Sequence, residues 1–196
     1  MRRRFSTPWL FLVAASCCLG GCGSSMKATQ FSNPNFDFSF VERVAVLPFE
    51  NLSSDRQAGL RATRLTVTEL LASGALDVVE RGEVQAALTQ TETFQPGRTP
   101  MPNTEQVISL GQALGVQAII MGTVTQSENL RSGSVLIPVV TIDMRMVEAE
   151  TGATVWAATH SEKGGSVSAK VLGTGGQPMA ETTRECVRQV LSTLIE

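Results

Sequence analysis

The residues able to do chemistry in this 196-residue chain are few, and their spacing limits what they could do. There is one histidine, His160, and beyond position 22 one cysteine, Cys186, so no His/Cys set with zinc-ligand spacing exists. On a strand, His160 reads as a satisfied edge residue rather than a general base. Cys186 shares a helical side with Val190 and Leu194, where a thiol is buried and inert. Asp143, Arg145, Glu148 and Glu150 form the one notable polar group, and their strand positions point to a solvated, ion-paired face rather than paired catalytic carboxylates. No nucleophile elbow, HExxH or phosphate-binding loop occurs. Gly173-Thr174-Gly175-Gly176 lacks the Lys-Ser/Thr ending and follows no clear strand, so it reads as a loop. These residues predict a binding protein with no catalytic set, metal site or cofactor, and not an enzyme.

One position does carry expected covalent chemistry. Arg2, Arg3 and Arg4 precede a short apolar run, Trp9 to Ala15, and a small-residue end, Leu19-Gly20-Gly21-Cys22. Those are the three parts of a secretory signal peptide, and the run is shorter than the roughly 20 apolar residues of a spanning helix. Leu19-Gly20-Gly21-Cys22 resembles the lipobox of bacterial lipoproteins; Ala14-Ala15-Ser16-Cys17 is a weaker competitor. The resemblance implies a signal peptide over residues 1–21 and acylation of Cys22, palmitate included. Several chains on one residue give stable anchoring, at ~0.8 kcal/mol per buried methylene. Gly23, where inner-membrane lipoproteins carry Asp, implies the outer membrane, with the chain facing the periplasm.

With Cys22 blocked, Cys186 has no intramolecular partner, so stability rests on packing, for which the residues after position 21 suffice. The first 21 residues hold three of the 16 basic residues and no acid, so the remainder carries 13 basic against 18 acidic residues. A nucleic-acid binder needs a basic face, and this balance argues against one.

The elements that must position these residues follow from hydrophobic pattern. Residues 22–42 read as a lipidated tether and Phe-rich arm, in which Phe36, Phe38 and Phe40 alternate with polar residues and would point one way if extended. Such an arm packs on its own domain or docks on a neighbouring subunit or partner. Val44 to Leu47 is a buried strand stopped by Pro48. A helix is predicted from Asp55 to Ser73, with Leu60, Val67, Leu70 and Leu71 at helical spacing and Gly74 as its stop. Leu76 to Glu80 is a second strand. A short helix follows Arg81-Gly82 through Val84, Ala87 and Leu88, and another lies between Asn103-Thr104 and Gly115. Gln95 to Pro102, with three prolines and a glycine, is a loop. Ala118 to Val124 is a strand. Val140, Ile142, Met144 and Met146 mark one face of the next, which a turn at Glu150-Thr151-Gly152 joins to a partner over Ala153 to Lys163. A Gly-rich connection, 164 to 178, leads to a last helix lined by Val187, Val190, Leu191 and Leu194. The order β-α-β-α-α-β-β-β-α, with about five strands, predicts an α/β class, or α+β with a mixed sheet.

Four blocks now carry a resemblance: Val44 to Leu52, Leu76 to Arg81, Gly115 to Val124 and Glu148 to Trp156. In this order, behind a lipobox, they are similar to the CsgG-like group of bacterial lipoproteins, which takes in curli-secretion CsgG, the penicillin-binding-protein activator LpoB, flagellar FlgO and TolB amino-terminal-like domains. The similarity runs over residues 43–196. It implies an anticodon-binding-like fold and a periplasmic, membrane-anchored component that binds or assembles envelope or curli-like secretion machinery, with homo-oligomers a possibility of the group. The alternative within the group is an LpoB-like activator of a penicillin-binding protein, which favours a longer tether than the ~70 Å that about 20 residues from Cys22 to Val44 could span. Pore-forming members insert two β-hairpins in regions corresponding to residues 127–138 and 164–179. A membrane-spanning strand needs about 9–11 residues. Connections of 12 and 16 residues, without alternating apolar stretches, tyrosine or any tryptophan but Trp156 beyond the signal, leave no room for such hairpins.

Overall fold

The computed structural model describes residues 28–90, 101–133, 135–165 and 177–195. The signal segment, Cys22, and most of the two connections read as loops (95–102 and 164–178) lie outside the described residues.

Seven strands form one mixed sheet: β1 (Thr29–Ser32), β2 (Arg43–Val46), β3 (Glu50–Asn51), β4 (Asp77–Val78), β5 (Ala118–Ser132), β6 (Val135–Glu148) and β7 (Thr154–Lys163). Among the described residues four helices accompany them: α1 (Ala58–Ser73), α2 (Arg81–Gln90), α3 (Thr104–Leu114) and α4 (Met179–Ile195). The strand order is β1-β7-β6-β5-β2-β4, with β3 beside β5 above β2. β2 is parallel to both β4 and β5, while β5, β6, β7 and β1 are successively antiparallel.

Alternation along the strands sorts the core into two layers. Val44, Val46, Ile120, Ile142, Met144 and Trp156 face α1 and α4. Ala45, Leu47, Ile119 and Met121 face α2 and α3. β2 and the start of β5 are therefore covered on both sides and read as continuous apolar runs. The middle of β6 is covered on one side only, so Thr141, Asp143 and Arg145 stay half-exposed while Ile142, Met144 and Met146 are buried, as the alternation predicts. No helix among the described residues is long and apolar enough to cross a membrane.

The mixed α/β class and the core element order agree with the sequence reading. The strand count does not: seven strands replace about five, because β1 and β3, of four and two residues, are too short to show a period. β5 also runs eight residues past Val124. Its register shifts at Thr125, and Gln126 to Ser132 then pair with Val135 to Thr141. Residues 127–138, read as a connection, are thus the outer part of a β-hairpin.

Two further expectations are corrected. Of the residues read at helical spacing on α1, Leu70 is buried, but Leu60 and Leu71 are exposed; beside Leu70 the helix buries Ala58, Gly59, Ala62, Thr63 and Thr66. Small residues let the helix axis approach the sheet closely, and larger side chains on that stripe would hold it off. The Phe-rich arm is not extended. A turn at 34–35 and a 3-10 turn at Phe38–Phe40, capped by the Asp37 carboxylate on the Ser39 N–H (3.0 Å), break the alternation. Phe36 and Phe38 stack edge to face, 5.0 Å between centroids, and pack on the core, whereas Phe40 stays 56% exposed.

Candidate functional site

The described surface is indented where the parallel strands end. Pro48 lacks an N–H, so after the Leu47 N–H bonds to the Ile120 carbonyl (3.0 Å) the chain leaves the ladder. Phe49 turns inward. Its N–H donates to the Thr63 hydroxyl (2.9 Å), which itself donates to the Gly59 carbonyl (2.8 Å). The chain then rejoins the sheet as β3, with Glu50 and Asn51 opposite Thr123 and Val124, and the Leu52 N–H bonds to the Val124 carbonyl (2.9 Å).

On the other side of β2, β4 ends after two residues and the backbone turns into α2 at Arg81. The lane beside β3, in line with β4, therefore has no strand among the described residues. It opens as a groove of about 910 Å³ between the starts of α1 and α2. Its position, outside the carboxyl ends of parallel strands where helices leave to opposite faces, is the usual place for a binding crevice in α/β sheets. Pro48, Leu52, Leu60 and Val84 give it apolar walls, and Arg56 and Arg81 give it positive charge. Neither arginine has an ion-pair partner among the described residues, unlike Arg43, Arg61, Arg184 and Arg188. The Glu50 carboxylate is turned toward the Thr123 hydroxyl (3.3 Å).

The loop that closes one end is held by a polar network. Asn51 Oδ1 accepts from the Ser53 N–H and hydroxyl, and Asn51 Nδ2 donates to the Asp55 carbonyl (2.7 Å). Asp55 receives Arg61 Nη2 (2.6 Å), the Gln57 N–H (2.9 Å) and the Ser127 hydroxyl (3.2 Å). Burial works to raise the Asp55 carboxyl, but these bonds and the Arg61 charge outweigh it and hold the group below its ordinary value. Arg61 Nε also reaches Thr183 on α4 (3.1 Å). The groove loop is thereby tied to β5 and α4.

A family model described as "curli production assembly/transport component CsgG" matches residues 41–196. The chain belongs to the CsgG family. Among solved structures, a PelC dodecamer from Paraburkholderia phytofirmans has a TM-score of 0.57 at 20% identity, covering 86% of this chain and 96% of that one. The hypothetical protein CT253 from Chlamydia trachomatis has a TM-score of 0.53 at 13% identity, with 79% and 95% covered. Lipoprotein GNA1162 from Neisseria meningitidis has 0.51 at 19% identity, with 67% and 90% covered. At such identities the shared property is the fold. No curated protein sequence matches the chain.

Within this CsgG-family domain, the residues singled out from the sequence do not converge. His160 is 4% exposed with Nε2 3.1 Å from Glu162, at a level of β7 beyond the reach of β1, whose pairing ends at Thr159. Cys186 is fully buried, its Sγ 3.4 Å from the His160 carbonyl, and burial, with the Glu162 charge added, pushes the thiol up to about 12. The expected ion pairs among Asp143, Arg145, Glu148 and Glu150 do not form: Thr159 donates to Asp143, and Thr151 to Glu148. These carboxylates sit on strands whose hydroxyl neighbours are closer than any arginine head. Among the described residues no cluster could hold a metal ion. The groove was missed because no single residue announces it. The signal available was Pro48 directly after a buried strand, with two helix starts, near Ala58 and Arg81, leaving the same end of the sheet.

Proposed function

We propose that this chain is a lipoprotein acylated at Cys22, held on the outer membrane facing the periplasm, whose CsgG-family domain binds and assembles envelope machinery such as curli-like secretion components. The observation that carries this reading is the family match over residues 41–196 directly behind a lipobox. We read it as a binding component without catalysis: Cys186 is sealed in the core and His160 is occupied by Glu162. Likeness to a PelC dodecamer supports self-association as part of the same function.

The tether sharpens the reading. β1 begins at Thr29 and is paired with β7, so Cys22 lies at most roughly 25 Å from the start of the sheet. That replaces the ~70 Å allowed by a tether reaching Val44. A domain held this close suits work at the membrane surface and disfavours the alternative of reaching across the periplasm to a penicillin-binding protein.

Palmitate labelling in cells, followed by flotation of the membranes, tests the anchor. The wild-type chain is expected to label and float, and Cys22→Ala to do neither; a labelled, floating Cys22→Ala chain overturns it. Cross-linking in intact envelopes tests the role: secretion components or further copies of the chain support it, and a penicillin-binding protein as the main product refutes it.

A further inference from the structure

The groove beside β3 has the features of a site for main chain rather than for a small solute. Along a strand, successive residues turn their N–H and C=O groups to opposite sides. The Leu52 N–H points to β5, so the N–H and C=O of Asn51 point away from it, into the lane that holds no strand among the described residues. Such an unpaired stretch of edge is what a β-augmenting peptide uses, main-chain bonds giving affinity and flanking side chains giving choice. The flanks here are specific. Leu52 is 64% exposed and Leu60 42% exposed on the walls, and Arg56 and Arg81, which have no ion-pair partner among the described residues, outnumber the one carboxylate of the lining, Glu50, which is turned to Thr123.

We propose that this groove receives an extended segment of a partner polypeptide, with an acidic side chain between aliphatic ones, as an added strand alongside β3. Side chains of the segment alternate between a wall with Arg56 and Leu60 and a wall with Arg81 and Val84, so the acid meets an arginine while its aliphatic neighbours cover apolar surface opposite. A second copy of this chain is the poorer fit. Of its two sheet edges among the described residues, β1, Thr29-Gln30-Phe31-Ser32, carries no acid to answer the two arginines, and the acid of β4, Asp77, is already paired with Arg43 (3.3 Å). The inference deepens the reading as a binding component, and its test does not depend on the anchor.

The probe is a fluorescein-labelled heptapeptide, Val-Thr-Leu-Asp-Leu-Thr-Val, titrated by anisotropy into the detergent-solubilised full chain. Saturable binding is expected. It should weaken at least tenfold in the Arg56→Glu, Arg81→Glu double variant, when Lys replaces the peptide's Asp, and when the central peptide amides are N-methylated. Arg56 and Arg81 are exposed, so unchanged thermal melting should accompany the loss. Arg64→Glu, an exposed arginine on α1 outside the groove, should bind as wild type. Absence of saturable binding, equal affinity in the double variant, or indifference to N-methylation overturns the proposal. So does a double variant whose only defect is self-association, because the occupant would then be a second copy. Failure of Cys22→Ala to detach from membranes would leave this result untouched.

Discussion

Gly122 lies on β5 under the ring of Phe49, and a Cβ added there would stand 2.6 Å from the ring's Cζ. The ring has nowhere to go. It is 4% exposed, and its own backbone is pinned by Thr63 and pressed by Gly59, where an added Cβ would meet the Phe49 carbonyl at 2.8 Å. Overpacking of this kind costs about 1–3 kcal/mol. Gly122→Ala should lower the stability measured by urea unfolding by that amount. An unchanged midpoint would mean that Phe49 moves freely and that the groove floor is softer than its packing suggests. At the same scale, His160 and Cys186 attract attention in a sequence because their side chains are versatile, yet both sit in the interior. Only burial, which depends on residues far away in the chain, separates an inert thiol from a reactive one.

At the level of elements, α3 is the one most fully specified by local sequence. Asn103 Oδ1 accepts from the Gln106 N–H and Gln106 Oε1 accepts from the Asn103 N–H, both 2.9 Å, and Gly115 ends the helix with φ 60°. Asn103→Ala should cost about 1 kcal/mol, read as an equal drop in unfolding free energy. A drop of a few tenths only would show that α3 is fixed by packing on β5 and not by its cap. Bounds of this sort were legible: Asn103-Thr104, Gly115 and Gly74 all mark helix ends where the sequence placed them. What was not legible has a physical cause in each case. Apart from Leu70, the inner stripe of α1 is made of Ala, Gly and Thr, which carry little hydrophobic signal, while Leu60 and Leu71 carry much and face out. Glu128 to Arg131 looks like a polar connection because, projecting beyond the body of the sheet, the outer hairpin is held by its ladder to β6 and not by burial. The groove escaped because it is an absence of strand beside β3, and pairing partners are a property of the sheet, not of any segment.

The outer hairpin raises the question of what the whole molecule does at a membrane. Beyond Ser127, β5 has five residues left and β6 four before Val139, against about 9–11 for a strand that spans a bilayer. Its faces are also wrong for lipid. One carries Leu130 and Ile137 with Glu128, the other Leu136 with Arg131, so on each face the apolar side chains sit beside a charge. Charges on a lipid-facing strand cost about 2–4 kcal/mol at the midplane, and assembly into a ring would repeat that cost in every copy. The exposed Leu130 and Leu136 instead suit shallow contact, either with headgroups or with a neighbouring subunit. The chain, acylated at Cys22 as proposed, is therefore expected to bind anionic or neutral vesicles without permeabilising them. Purified protein carrying that anchor and added to planar bilayers should give no stepwise ion conductance at any protein concentration that saturates vesicle binding. Reproducible single-channel steps, lost when Leu130 and Leu136 are both changed to Asp, would overturn this and make the hairpin a pore element despite its length.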